Sequence, residues 1–215
     1  MGLRYVLWDN DGVLVDTEGG YFEATRRALA ECGVELDRAE YYALRAAGES
    51  AWDLPQVLGL GAATIERHRA IRDTYYQQFI QGASREIPGV RAVLAELATK
   101  YRMAIVTTSL RRNFELLHAD GALTRHMEFV LTREDFVTEK PAPDGYLAAL
   151  ERLRAAPHEA VVVEDSAQGL GSARAAGVRC VIVRNRFFGD AHDFDGAAAV
   201  LDSIEHLPAT LERFG

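Results

Sequence analysis

Asp9 and Asp11 stand two residues apart in Val6-Leu7-Trp8-Asp9-Asn10-Asp11-Gly12-Val13-Leu14-Val15-Asp16, where an apolar run meets a glycine turn. Alternate residues of an extended segment point the same way, so the two carboxylates can converge on one small volume. Like charges that close raise each other's pKa unless a cation or a shared proton offsets them. A divalent metal, a phosphoryl-transfer site or both would supply that offset. The plain alternative is a solvated acidic turn, for which Asp and Gly suit the geometry.

Three later segments carry complementary groups. Thr107-Thr108-Ser109 follows the apolar Ile105-Val106, and its hydroxyls and backbone N–H groups could hold a phosphoryl oxygen or simply cap a helix. Lys140, in Lys140-Pro141-Ala142-Pro143-Asp144, is stiffened by two prolines. A fixed ammonium there could neutralise a transferring phosphoryl group, whereas most lysines are exposed. Val161-Val162-Val163-Glu164-Asp165-Ser166 ends an apolar run in two acids, which suits a hard cation such as Mg2+ or, again, a helix cap. Acid, hydroxyl, lysine and acid together form a phosphoryl-transfer set.

The elements that must position these groups alternate. Strands are predicted at Arg4 to Trp8, Met103 to Thr107, Glu128 to Leu131, Ala160 to Glu164 and Cys180 to Val183. Amphipathic helices are predicted at Val90 to Lys100, Asn113 to Ala119, Gly145 to Arg154 and Ala167 to Ala176, the last stopped by Gly177. Nearly all-apolar strands alternating with helices predict an α/β fold, a parallel-sheet Rossmann-like core covered on both faces. All four chemical segments sit at carboxyl ends of these strands, where such sheets bind ligands. Residues 17–84 break the alternation with four consecutive helices, Tyr21 to Cys32, Arg38 to Ala47, Ala51 to Leu58 and Ala63 to Gln81. They are read as an inserted all-helical cap domain, with 1–16 and 85–215 forming the core. Its joints, at Val15 to Glu18 and Gly82 to Ile87, are expected to act as hinges.

The 215 residues carry 24 basic and 32 acidic side chains, a net charge of −8. That balance disfavours a nucleic-acid partner and favours a cation-dependent site. The apolar runs are too short to span a bilayer, and the early first strand leaves no room for a secretory signal. Cys32 and Cys180 match no metal or disulfide spacing and read as small core hydrophobes of a reducing compartment. The expected location is cytoplasmic. His68, His118, His126, His158, His192 and His206 show no ligand spacing and are read as surface or helix-end residues. Trp52 is open between a core hydrophobe and a substrate-facing aromatic. Phe187-Phe188-Gly189 is read as packing.

The chain resembles the haloacid-dehalogenase superfamily over essentially its whole length. Asp9 to Glu18 resembles the first motif, and Thr107, Lys140 and Glu164-Asp165 fall at the second, third and fourth in order. The helical insertion resembles the cap of the β-phosphoglucomutase and sugar-phosphate phosphatase branch. The resemblance implies that Asp9 is the nucleophile and forms an aspartyl-phosphate. It makes Asp11 the acid, then base, with its carbonyl touching the metal. It assigns phosphoryl binding to Thr107, Thr108 and Lys140, and the Mg2+ site to Asp9, Asp11, Glu164 and Asp165. Glu18, Gly48, Ser50, Trp52 and Ser109 would face the substrate or line the cap. The family's dehalogenases lack an acid at position 11, so phosphoryl transfer is expected.

The partner implied is a small phosphorylated metabolite such as a sugar or polyol phosphate, with no membrane partner and a monomer or weak homodimer in solution. A β-phosphoglucomutase-like mutase is the alternative. Against it, Ala51 in Gly48-Glu49-Ser50-Ala51-Trp52-Asp53 falls where that branch carries a phosphate-gripping arginine, and no histidine precedes His68. A receiver-type signalling domain shares acids, hydroxyl, lysine and Mg2+, but would carry its phospho-acceptor at the third strand's tip. Here Leu131-Thr132-Arg133 offers none. A silent phosphate-binding regulator is not supported, because every motif position is filled.

Overall fold

The computed structural model describes residues 2–81, 85–185 and 194–214. The chain divides into two compact units, Met1–Asp16 with Arg85–Gly215, and Thr17–Ser84. Strand β1 (Tyr5–Trp8) opens the first unit. The second unit holds α1 (Glu18–Ala30), α2 (Arg38–Ala47), α3 (Pro55–Leu58) and α4 (Ala62–Ile80). The first unit resumes with α5 (Val90–Leu97), β2 (Arg102–Val106), α6 (Arg111–Leu117), β3 (Phe129–Leu131) and α7 (Asp144–Leu153). It ends with β4 (Ala160–Glu164), α8 (Ala167–Ala175), β5 (Arg179–Val183), β6 (Ala199–Leu201) and α9 (Leu207–Glu212).

The six strands form one parallel sheet in the order β3-β2-β1-β4-β5-β6. Chain order reverses between β1 and β4, which lie side by side with Trp8 opposite Val163. An open parallel sheet has its crevice at such a reversal, at the strands' carboxyl ends. Both faces are covered. Val6, Trp8, Ile105, Val161 and Val163 pack on one side with Val90 and Leu94 of α5 and Leu207 and Leu211 of α9. Leu7, Val106, Val162 and Ile182 pack on the other with Tyr146 and Leu150 of α7 and Leu170 of α8. Burial on both faces explains why these strands read as continuous apolar runs.

Two elements of this unit differ from expectation. Ala199–Leu201 forms a sixth strand and Leu207–Glu212 a terminal helix. β6 is a three-residue edge strand with partly exposed residues, so it carries little apolar signal.

The helical unit has its own core of Phe22, Leu29, Leu36, Tyr41, Trp52 and Val57. Asp37 caps α2 by accepting from the Glu40 N–H at 2.8 Å, and Gly48 ends it in the left-handed region. The predicted helix from Ala51 to Leu58 is broken instead. A short 3-10 turn, Ala51–Asp53, precedes an extended Leu54 and the four-residue α3. The proline after Leu54 explains the break, because a residue preceding proline is disfavoured in helical conformation. Trp52 is buried, at 5% exposure, so the core reading of this residue holds. Of the second joint, residues 82–84 lie outside the described residues, as do Phe187-Phe188-Gly189 and His192. No helix among the described residues is long and apolar enough to cross a membrane.

One close approach ties α8 to the end of β4. A Cβ placed on Gly169 would lie 1.8 Å from the Glu164 side-chain carboxyl carbon. Alanine ordinarily gains about 1 kcal/mol over glycine inside a helix. Here the displaced carboxylate should cost about 2 kcal/mol, as overpacking does in a filled core. Gly169→Ala is therefore expected to lower the thermal unfolding midpoint. A midpoint equal to or above that of the wild type would show that Glu164 is free to move.

Candidate active site

Every chemical group read from the sequence of the first unit lies at a carboxyl end of its sheet or in a loop beside it. Asp9 leaves β1 with its N–H bonded to the Val163 carbonyl of β4 at 2.9 Å. Its carboxylate therefore sits beside the acids that end β4. Gly12 turns the chain at φ +87°, a region that favours glycine. A Cβ there would also fall 1.9 Å from the Asp165 Oδ2, so glycine is required twice over.

Lys140 is 9% exposed at its side chain, unlike the usual surface lysine. Its Nζ donates to Asp9 Oδ1 at 2.5 Å, to Glu164 Oε1 at 2.6 Å and to the Val106 carbonyl at 3.2 Å. Tyr146 of α7 donates to the same Glu164 Oε1 at 2.8 Å, and the Asp165 N–H and Ser166 hydroxyl donate to Oε2 at 3.1 Å each. Four donors thus fix a carboxylate that in turn fixes the lysine. Ser166 also caps α8 by accepting from the Gly169 N–H at 3.0 Å. The capping alternative is thus true of Ser166 and not of Asp165. The Asp165 Oδ2 accepts from Asn185 Nδ2 at 2.9 Å.

The second motif does not cap a helix. The residue preceding α6 is Leu110, which has no capping side chain; the Glu134 carboxylate accepts from the Arg111 N–H at 3.0 Å there. Thr107 and Ser109 instead turn their hydroxyls to Asp11, donating to Oδ2 at 3.2 and 2.7 Å. Ser109, expected to face substrate, contacts Asp11 directly. Thr108 is exposed between them. The amide of Asn10 donates to the same Asp11 oxygen at 3.2 Å.

These groups are electrostatically unbalanced. For Asp9, burial is the largest influence and pushes the carboxyl above the usual carboxylate range. Lys140 opposes that shift, and Glu164 and Asp11 add to it. Burial alone would lower Lys140, but Asp9 and Glu164 outweigh it and hold the ammonium above its ordinary value. Burial likewise raises the Tyr146 hydroxyl, which stays a donor to Glu164. One ammonium faces a cluster of acids, so a further cation would restore the ionised state of Asp9. Asp9, Glu164 and Asp165 place one carboxylate oxygen each within 4.8 Å of one another. An all-oxygen donor set of buried carboxylates fits a hard divalent ion.

Four of the expected residues belong to the helical unit. Glu18 accepts from Arg45 Nε at 3.3 Å, Gly48 ends α2, and Ser50 accepts from the Trp52 N–H at 3.2 Å. Trp52 is in that unit's core. Of the histidines expected at the surface or at helix ends, two are buried. His68 is buried against the Thr64 carbonyl of its own helix at 2.8 Å. His118 is buried at the end of α6, where its Nε2 meets Asn10 Oδ1 at 2.8 Å. Burial holds its pKa below the ordinary histidine value. Asn185 and Tyr146 were not singled out from the sequence, and neither follows a motif that would mark it.

The residues 6–183 match the model of the haloacid dehalogenase-like hydrolase family. The chain is 33% identical over 219 residues to the protein CbbY of Cereibacter sphaeroides, covering 95% of this chain and 94% of that one. It is 32% identical over 218 residues to the plasmid-borne phosphoglycolate phosphatase of Cupriavidus necator, covering 96% and 92%. The crystal structure of CbbY from Rhodobacter sphaeroides in complex with phosphate superposes with a TM-score of 0.77 at 28% identity, over 98% of this chain and 99% of that one. With the motifs in order on the matching sheet, the chain belongs to the haloacid dehalogenase-like hydrolase family.

Proposed function

We propose that the protein is a Mg2+-dependent phosphatase that hydrolyses a small phosphomonoester, such as a sugar or polyol phosphate, through an aspartyl-phosphate. The observation that carries this reading is the Asp9 carboxylate held 2.5 Å from Lys140 beside a second acid two residues on. The CbbY and phosphoglycolate phosphatase relatives support the substrate class.

Asp9 would attack phosphorus, forming a new P–O bond as the ester P–O bond breaks. Asp11 would give its proton to the departing alkoxide, then take one from the water that attacks the aspartyl-phosphate. That second attack releases phosphate and restores Asp9. The Thr108 N–H and Lys140 would hold the phosphoryl oxygens and balance the charge that develops on them, while the Thr107 hydroxyl stays on Asp11 Oδ2. Asp9, the Asp11 carbonyl and Asp165 would hold the Mg2+, which when bound neutralises the acids and polarises the phosphoryl group. Glu164 lies within the same acidic group, yet both of its oxygens are taken by four donors. We therefore assign it to holding Lys140 rather than the ion. The segment 17–84 would serve as the cap that excludes bulk water.

Asp9→Asn should lower turnover by orders of magnitude with the fold retained, because a carboxamide cannot attack phosphorus. Near-normal turnover of that variant on p-nitrophenyl phosphate would reject the covalent route. Mg2+ should raise the thermal midpoint, since an ion that binds only the folded chain stabilises it. Asp165→Asn should abolish that rise, and Ca2+ in excess should inhibit because its coordination is larger and looser. An equal rise in the variant would place the ion elsewhere. Incubation with glucose 1-phosphate and a bisphosphate activator should release free phosphate. Accumulation of glucose 6-phosphate with little free phosphate would replace the phosphatase with the mutase.

A further inference from the structure

The side chain of Asn10 sits between the two catalytic carboxyl positions and is fully buried, at 0% exposure. The turn does not need that side chain. It is the Asn10 backbone carbonyl that accepts from the N–H groups of Leu14 at 2.9 Å and Val15 at 3.1 Å. An apolar residue at position 10 would keep each of those bonds. A buried amide is unfavourable unless both of its ends are partnered, and here both are. Nδ2 donates to Asp11 Oδ2 at 3.2 Å, and Oδ1 meets His118 Nε2 at 2.8 Å. An amide oxygen only accepts, so the His118 nitrogen facing it carries the proton. His118 is in turn held by the ring of Phe114, whose centroid lies 4.3 Å away. A relay of two neutral groups therefore runs from the end of α6 to the Asp11 carboxyl.

We propose that Asn10 and His118 are positioning residues for Asp11: His118 fixes the Asn10 amide, and the amide, with the Thr107 and Ser109 hydroxyls, fixes the plane in which Asp11 exchanges its proton. The proposal rests on the reading of Asp11 as the acid and base. Three donors, from two parts of the chain far apart in sequence, converge on the single oxygen Oδ2. Thr107 and Ser109 reach it from the loop after β2, and Asn10 reaches it from the turn itself. Removing one of three supports loosens the carboxyl without removing its chemistry. The loss should therefore grow with the basicity of the leaving group, since only a poor leaving group depends on timely protonation.

The test compares p-nitrophenyl phosphate with phenyl phosphate, whose leaving phenol is the more basic. Asn10→Leu and His118→Leu should each lower kcat on phenyl phosphate by about tenfold, a small part of what a positioned acid supplies. On p-nitrophenyl phosphate the loss should stay below about twofold, with KM little changed on either substrate. His118→Gln, which can present an amide N–H to Asn10, should recover most of the loss. A purely structural role would lower both substrates alike, and that result overturns the proposal. If His118→Leu does not fold, Asn10→Leu and His118→Gln carry the same comparison, with thermal midpoints as the check on folding. Asp11→Ala separates the two layers of the argument. If it discriminates between the substrates and Asn10→Leu does not, positioning by Asn10 is wrong. If Asp11→Ala itself fails to discriminate, the acid–base reading of Asp11 fails, and the proposal falls with it.

Discussion

The constraint on which this site depends is the crowding of buried carboxylates around one ammonium. Lys140 lies within 2.6 Å of two of them, Asp9 and Glu164, and Asp165 shares the same small volume. Such a set is unfavourable in a low-dielectric interior unless each charge is paired and its remaining lone pairs are satisfied. Much of the surrounding structure meets that demand. Tyr146 comes from α7, Ser166 from the start of α8, and Asn185 from the loop after β5, each donating to one of these acids. The remaining imbalance is one that a bound cation would offset.

The sheet makes this crowding possible. Because β1 and β4 are neighbours in parallel register, their last residues emerge side by side, and Asp9 and Glu164 are brought together across 155 positions of chain. Gly12 and Gly169 then let backbone approach those carboxylates where any Cβ would collide. Packing and chemistry are joined at these two positions. At Gly12 the left-handed backbone demands glycine as well.

Much of the core was legible in the sequence because its strands are buried on both faces and its chemical groups sit directly at their ends. The apolar runs Val6 to Trp8 and Val161 to Val163 mark the centre of the sheet without ambiguity. β6 was not legible, since a three-residue edge strand has no inward face strong enough to leave a pattern. The break within residues 51–58 has a single local signal, the proline after Leu54, set in a segment whose other residues suit a helix. His118 looked like an ordinary helix-end residue, and so it is, but its partner lies 108 residues away. No local pattern encodes such a pair. Asn185 is hidden for the same reason, as its contact with Asp165 follows from the adjacency of β4 and β5 and not from any motif.

The central claim is that Asp9, charged and aimed by Lys140, becomes phosphorylated. It is tested most directly by trapping the intermediate. The Asp11→Asn protein, which retains the nucleophile but lacks the base for the second step, would be mixed with p-nitrophenyl phosphate and Mg2+, quenched in acid and digested for peptide mass spectrometry. The phosphoryl group should appear on the peptide that carries Asp9, and it should be absent when Asp9→Asn is added to the same background. Turnover with no phosphorylated peptide, or a phosphoryl group that persists without Asp9, would contradict the account.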